Sequence, residues 1–303
     1  MYLDSITTQL MTTETKYLLP AIVSVIVSTV VSASIALFVK KYETRDKLNA
    51  EYTHDQRKKI RELTGKYHGR LLRAAVSLNH RIWNLYSNEA NGWLNADGKY
   101  RTNCGYYIIS FAHRFLHVAS LIRLFEKDAV FLDTRYSKKD DFVFMHYLDF
   151  ITWGITDVAL FDNVPYDPTL QKDHFFSDRI RAYSDLCWQN NDFISHEQFT
   201  DKIKKENDFD TVLRFFDGLK HDENRLRWDR IVTIHLIVVS FINKFGYPPQ
   251  RTTENQIELI LSKLVNVQII NNLLKWIPKL GLSKDNEMKT LLRIARKQVL
   301  KSK

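Results

Sequence analysis

Residues 106–127 read YYIISFAHRFLHVASLIRLFEK, an apolar run interrupted by Ser110, His113, Arg114, His117 and Arg123. His113 and His117 are four apart, and Arg114 precedes His117 by three, so on a helix they share a broad face. An arginine in so apolar a helix needs partners or a cavity, because burying an unpaired charge is costly. The preceding stretch, 68–87, contributes Arg70, Arg73, Ser77, His80, Arg81 and Asn84 on a contrasting polar face. Packed together, the two helices would set Arg70, Arg73, His80, Arg81, His113, Arg114 and His117 into one cationic pocket. Trp83, Tyr106, Tyr107 and Phe111 would wall it. Cations with aromatic walls suit phosphate contact and base stacking. A second reading stays open: a structural network of these arginines with Asp128, Asp149 or Asp157, plus hydrogen-bonded core histidines.

Metal and nucleophile chemistry has thinner support. His113 and His117 form HxxxH without the glutamate of HExxH, and a metal site needs further ligands. The dipeptide His221-Asp222 resembles the core of helical HD-family phosphohydrolases. His196 lies upstream of it, and Asp229 and Asp285 lie downstream. An alternative metal set is therefore His196, His221 and Asp222; otherwise no metal, no cofactor and no catalytic residue is expected. The chain has no GxxxxGK[ST], no GxGxxG and no GxSxG, which removes the common phosphate loops and the nucleophile elbow. His235 lies in an apolar run and reads as a core histidine. Two cysteines, Cys104 and Cys187, cannot build a disulfide scaffold and fit a reducing compartment.

One segment stands apart from the rest. Leu18–Val39, LLPAIVSVIVSTVVSASIALFV, holds 22 residues without a charge. A bilayer core needs roughly 20 apolar residues as helix, so a transmembrane helix is expected over 17–39. Residues 1–16 carry Asp4 and Glu14 against Lys16, unlike the basic start of a signal peptide. Residues 40–73 hold eleven Lys/Arg and five Asp/Glu. The positive-inside rule then places 1–16 outside as a short extracytoplasmic N-terminus and the rest in the cytoplasm. Ser24, Ser28, Ser32 and Ala36 recur every four residues along one helix face. Small residues so spaced favour close helix packing, and the face is the candidate oligomer or pore lining. Serines that bond back to their own helix are the alternative.

The remaining elements follow from periodicity. The chain has 303 residues, is 13% aromatic and carries a formal charge of +9. Its mean hydropathy of −0.30 excludes a polytopic transporter. Aromatic content of this order builds a core and excludes a disordered chain. Residues 40–67 read as a basic juxtamembrane stalk helix. Residues 68–303 read as an all-helical cytoplasmic domain, with a possible subdivision near 162–173 at Pro165 and Pro168. The fold class is therefore all-α: a single N-terminal transmembrane helix, a helical stalk and a helical bundle. Helices are expected over 68–87, 106–127, 141–161 and 254–277, the last ended by Pro278. Ile231–Ile242 is a buried core helix, and Ser283 opens a final basic helix. Ser195 with Gln198, and Thr253 with Gln256, match capping boxes. Asp97-Gly98 marks a candidate hairpin. Charge is uneven: residues 275–303 hold nine Lys/Arg and two Asp/Glu, whereas the body between 74 and 274 is slightly acidic. Cations beside the apolar run fit anionic headgroups, and an anionic nucleotide is the sharper alternative.

The serine-faced span Leu18–Val39, the cations Lys40, Lys41 and Arg45 and the helical domain together resemble the membrane-channel effector of Hailong-type bacterial anti-phage defence, the HalA family. The likeness is one of architecture along the whole chain and rests on no signature motif. It implies an oligomeric ion channel in the bacterial inner membrane, a tetramer, controlled by an oligonucleotide signal that a partner nucleotidyltransferase makes. No residue role is carried over from it.

Overall fold

The computed structural model describes the backbone of residues 2–102, 105–169 and 171–301, with side chains from Ile22 onward within that set and at Pro20. Cys104 lies outside the described residues. The fold is all-α: the described residues form ten α-helices and one hairpin of two-residue strands. Contacts divide the chain at Lys58/Lys59 into an N-terminal unit and a compact unit of residues 59–303.

Helix α1 spans Tyr2–Asn88 and belongs to both units. From Tyr2 onward the expected segments 1–16, 17–39 and 40–67 thus fall within one helix. No Pro or Gly interrupts it between Pro20 and Gly65, which is where breaks would otherwise arise. In the N-terminal unit every described side chain from Ile22 to Tyr52 is exposed. The apolar ones include Ile22, Val25, Ile35 and Phe38, and Phe38 is 72% exposed. This stretch is long and apolar enough to cross a membrane. Three of its hydroxyls bond back to their own helix: Ser28 to the Val25 carbonyl at 3.0 Å, Thr29 to the same carbonyl at 2.7 Å, and Ser34 to that of Val30 at 2.8 Å. Polar side chains in such a helix are thereby tolerated without a partner helix.

The compact unit begins where α1 becomes one-sided. Ile60, Tyr67, Leu71, Ala75, Leu78, Ile82 and Leu85 are buried at helical spacing, so the stalk expected to reach residue 67 joins the domain about two turns earlier. Helix α2 (Tyr106–Ala129) packs against α3 (Lys139–Thr156), α4 (Ser177–Leu186), α5 (His196–Lys205) and α6 (Asp210–Phe216). Helix α7 (Arg227–Phe245) is buried from Arg227 to Asn243 and packs on α3, α8 (Glu254–Leu261) and α10 (Asn286–Lys301). Helix α9 (Val267–Lys279) also packs on α10. Both α2 and α7 are buried nearly all round because their sequences are apolar nearly all round. Gly154 lets α3 and α7 approach: a Cβ there would meet Ile237 Cδ1 at 2.7 Å.

Several boundaries differ from expectation, each for an identifiable reason. The run 254–277 is two helices, because the buried Asp229 carboxylate accepts the amides of Val265 at 2.7 Å and Asn266 at 3.2 Å. Asn266 then caps α9. Pro278 lies inside the last turn of α9, where the missing amide costs one bond, and does not end it. Asp285, and not Ser283, caps α10 by accepting the amides of Glu287 and Met288. Asp97-Gly98 turns without strands beside it; the Asp217 carboxylate takes the amides of Ala96, Asp97 and Gly98 instead. The hairpin is Trp188–Gln189 (β1) paired with Asp192–Phe193 (β2). Asn190 and Asn191, at φ 51° and 63°, supply its left-handed turn. Both expected capping boxes are present. The C-terminal cations are partly neutralised: Arg293 pairs with Glu254, and Lys297 and Lys301 with Glu258.

At the centre, Arg230 of α7 is fully buried. It donates to three backbone carbonyls: Asp173 at 2.6 Å, Gly154 at 2.8 Å and Asp157 at 2.9 Å. Its guanidinium also sits 4.6 Å from the Phe161 ring. Burial lowers its pKa to about 10, which leaves it charged at neutral pH. Replacing Arg230 with Met leaves three buried carbonyls without a donor, at about 1 kcal/mol or more each. Urea unfolding of the Arg230→Met protein should therefore show a loss of about 3 kcal/mol or more. Wild-type stability in that variant would refute this role.

Candidate functional site

α1 and α2 do pack side by side, and their contact brings Arg81 and Arg114 together. Arg81 Nη2 donates to Ser110 Oγ at 2.7 Å, and Arg114 Nη1 to the Ser77 carbonyl at 3.1 Å. Arg81 is 7% exposed, and its Nε has no hydrogen-bond partner. Its guanidinium lies 4.4 Å from the Tyr107 ring and 5.7 Å from that of Tyr106. No carboxylate pairs with Arg81 or Arg114 among the described residues. The pKa of Arg114 is lowered by burial and then by the positive charge of Arg81. Two guanidiniums thus face each other in a half-buried setting with no acid to balance them, where an uncompensated charge is expensive.

Of the carboxylates expected to neutralise these arginines, Asp128 and Asp157 are engaged elsewhere, and Asp149 pairs with neither arginine among the described residues. Asp128 accepts from Lys66 and Tyr67, both at 2.7 Å. Asp157 caps a short 3-10 turn through the Ala159 amide. Arg123 pairs with Glu126 and Asp185. The acid network therefore does not form around Arg114.

His196 joins the arginine pair. Its ring packs 5.0 Å from Tyr106 and 5.7 Å from His113, and its Nε2 is buried without a partner. Burial lowers its pKa first, and Arg114 and Arg81 lower it further. His113 bonds the Ile194 carbonyl at 2.8 Å, which ties α2 to the chain entering α5. The Tyr106 hydroxyl, stabilised as phenolate by Ser110 and by both arginines, has a lowered pKa. Tyr106 is 64% exposed, so it screens the two cations from the solvent side.

No family model, curated protein or solved structure matches this chain.

Of the other expected site residues, His117 borders His113 at 6.5 Å between rings but, like Arg70, is engaged by the hairpin, and the rest lie apart. Arg70 pairs with Asp192 at 3.4 Å and covers Trp188 of the hairpin at 5.0 Å. His117 stacks on Phe193, with centroids 4.1 Å apart and planes 11° from parallel. Arg73 and His80 are exposed on α1. Of the seven cations expected in one pocket, the structure joins Arg81, His113 and Arg114. The alternative metal set does not converge, and no group of three His, Cys, Asp or Glu suited to a metal occurs among the described residues. His196 sits with the arginines, whereas the His221 ring packs on Trp228 and Asp222 pairs with Lys220 at 3.2 Å. Asp229 and Asp285 serve as backbone caps. Sequence reasoning placed His196 in the wrong group, because 82 residues separate it from Arg114. Tyr107 also lines a cavity of about 510 Å³ with Trp93, Asn88, Glu89, Asn95 and Lys220.

The buried histidines give this unit an acid limit. Burial lowers His117 to about 4 and His235 to about 3, so both are neutral in the fold. In the unfolded chain they bind protons near the ordinary value of roughly 6.5. The unfolded state therefore holds more protons below that pH, and stability falls as pH drops from about 6.5 toward 4. His117→Phe keeps the stack on Phe193 and removes one titrating group. Its unfolding midpoint should lose less between pH 6.5 and 4 than that of the wild type; equal slopes would contradict the assignment.

Proposed function

We propose that the chain is a single-span membrane protein whose helical domain binds an anionic, nucleotide-like ligand at Arg81 and Arg114, and whose spans associate into an ion-conducting oligomer. The observation that carries the reading is the arginine pair without a carboxylate, flanked by Tyr106, Tyr107 and His196. A phosphate would supply the missing counter-charge and accept from the unpartnered Arg81 Nε. The aromatic rings beside it offer stacking faces for a base.

Membrane insertion is supported by the exposed apolar helix Ile22–Val39, whose apolar side chains pack against no other element. The cations of residues 40–73 orient the helical domain to the cytoplasm and the N-terminus outside, as in a bacterial inner membrane. Association of the spans along Ser24, Ser28, Ser32 and Ala36 would bury that face against a second copy, and the same hydroxyls would line a narrow pore. α1 carries both Ser28 and Arg81, so ligand and pore residues share one helix. By its resemblance to the Hailong-type effector, the ligand would be an oligonucleotide made by a partner nucleotidyltransferase, and the role would be anti-phage defence. The reading involves no catalysis.

Full-length protein in lipid vesicles should conduct ions, and the flux should change on adding members of a panel of short oligonucleotides. Arg81→Gln should weaken binding about tenfold or more, the loss expected for a charge-assisted bond. Ser28→Leu should reduce flux while leaving binding intact. A strictly monomeric particle in mild detergent, with no flux in vesicles, would overturn the reading.

A further inference from the structure

A second cavity of about 480 Å³ opens in the compact unit, lined by residues 171–175 and by side chains around 211–215 and 224–225. That volume is of the order that small-molecule sites occupy, roughly 300–1,000 Å³. Lys172, Arg214 and Arg225 line it. Arg225 is held in place: Nε donates to Asp173 Oδ1 at 2.9 Å, and Nη2 donates to the Lys172 carbonyl. Asp173 is the only acid in the lining. Both its oxygens are spent, one on Arg225 and the other on the Leu226 amide at 3.2 Å. Lys172 and Arg214 have no ion pair among the described residues. The lining therefore carries a net positive charge that the protein does not cancel.

The inner wall is unfinished in a second, independent way. His174 is 2% exposed and lines the cavity. Its Nδ1 is bonded to the Tyr166 hydroxyl at 2.5 Å, but its Nε2 is buried with no partner. Gln171 Nε2, in the same lining, is also buried without one. A buried polar atom left unpaired costs about 1–3 kcal/mol, so two of them beside one cavity call for a polar occupant. Phe175 and Phe215, 4.8 Å between centroids, form an apolar floor. The residues bordering this cavity are distinct from those of the Arg81–Arg114 cluster and share none of their contacts.

We propose that this cavity is a binding site for a small phosphate ester of mononucleotide size, with the phosphate against Lys172, Arg214 and Arg225 and an inner oxygen on His174 Nε2. The cations meet the anion at the rim, where charge-assisted bonds are strong. Gln171 and His174 supply neutral donors deeper in. His174 is neutral at physiological pH, since burial lowers its pKa to about 4. It therefore donates only as the Nε2–H tautomer, with Nδ1 accepting from Tyr166.

The test uses full-length protein in detergent and titrates inorganic pyrophosphate and adenosine monophosphate by calorimetry. Lys172 and Arg214 are exposed, so the double variant Lys172→Gln/Arg214→Gln should fold normally. It should weaken binding of both probes at this site tenfold or more and leave binding lost in Arg81→Gln untouched. Histidine-labelled protein should show the His174 side chain as the Nε2–H tautomer, with a shift on saturation. Unchanged affinity in the double variant would overturn the proposal. So would a His174 signal that keeps the Nδ1–H form or fails to move with adenosine monophosphate. Unchanged affinity in the double variant, with binding lost in Arg81→Gln, would overturn this site alone and leave the function proposed above standing.

Discussion

A guanidinium taken out of water must find partners for five N–H groups and a home for its charge. The compact unit is organised around how completely that demand is met. Arg230 meets it through three carbonyls from two segments, with an aromatic ring on its face. By doing so it pins the end of α3 and the Asp173 loop to α7. Arg227 meets it with Glu223 and the carbonyls of Arg214 and Phe215. In both, every guanidinium nitrogen has an acceptor within the fold.

Arg81 and Arg114 stop halfway. Arg81 bonds Ser110 Oγ and Arg114 the Ser77 carbonyl, both lie beside the Tyr106 hydroxyl, no carboxylate pairs with either among the described residues, and each lies in the field of the other. A core that gives every guanidinium nitrogen of Arg230 an acceptor shows that the fold can partner such a cation. Leaving two adjacent ones incomplete, under an exposed Tyr106, is the arrangement expected where an anion enters from outside. The same contrast separates the two units. In the helical domain most large apolar side chains are buried in one core, whereas residues 22–39 present an apolar surface with no protein to cover it.

Much of the fold is legible in residue order because it depends on local chemistry. The all-round apolarity of Ile231–Ile242 and of 106–127 foretells burial, and the Ser195 and Thr253 boxes foretell helix starts. The Arg81–Arg114 contact is also legible, since an arginine in an apolar helix needs something to face. What the sequence hides are events set by distant carboxylates. Asp229 splits one apparent helix into α8 and α9, and Asp217 gathers the turn at 96–98 from more than a hundred residues away. His196 reads as an isolated histidine until α5 folds beside α2. Arg70 and His117 look like pocket residues by helical spacing, but the hairpin between α4 and α5 claims both. That hairpin's signal, Asn190-Asn191, is present in the sequence, yet its two-residue strands are too short to give an alternating pattern.

The claim that joins these features is that an anion completes the Arg81–Arg114 pair. It is tested most directly by an experimental density map of the detergent-solubilised full-length particle, recorded with and without a bound short oligonucleotide. The account predicts phosphate density within hydrogen-bonding distance of Arg81 Nε and the Arg114 guanidinium, with Tyr106 moved aside or stacked on a base, in a particle of more than one chain. A map of a saturated sample that shows Arg81 and Arg114 still bound only to Ser110 and Ser77, with the ligand elsewhere, would contradict it.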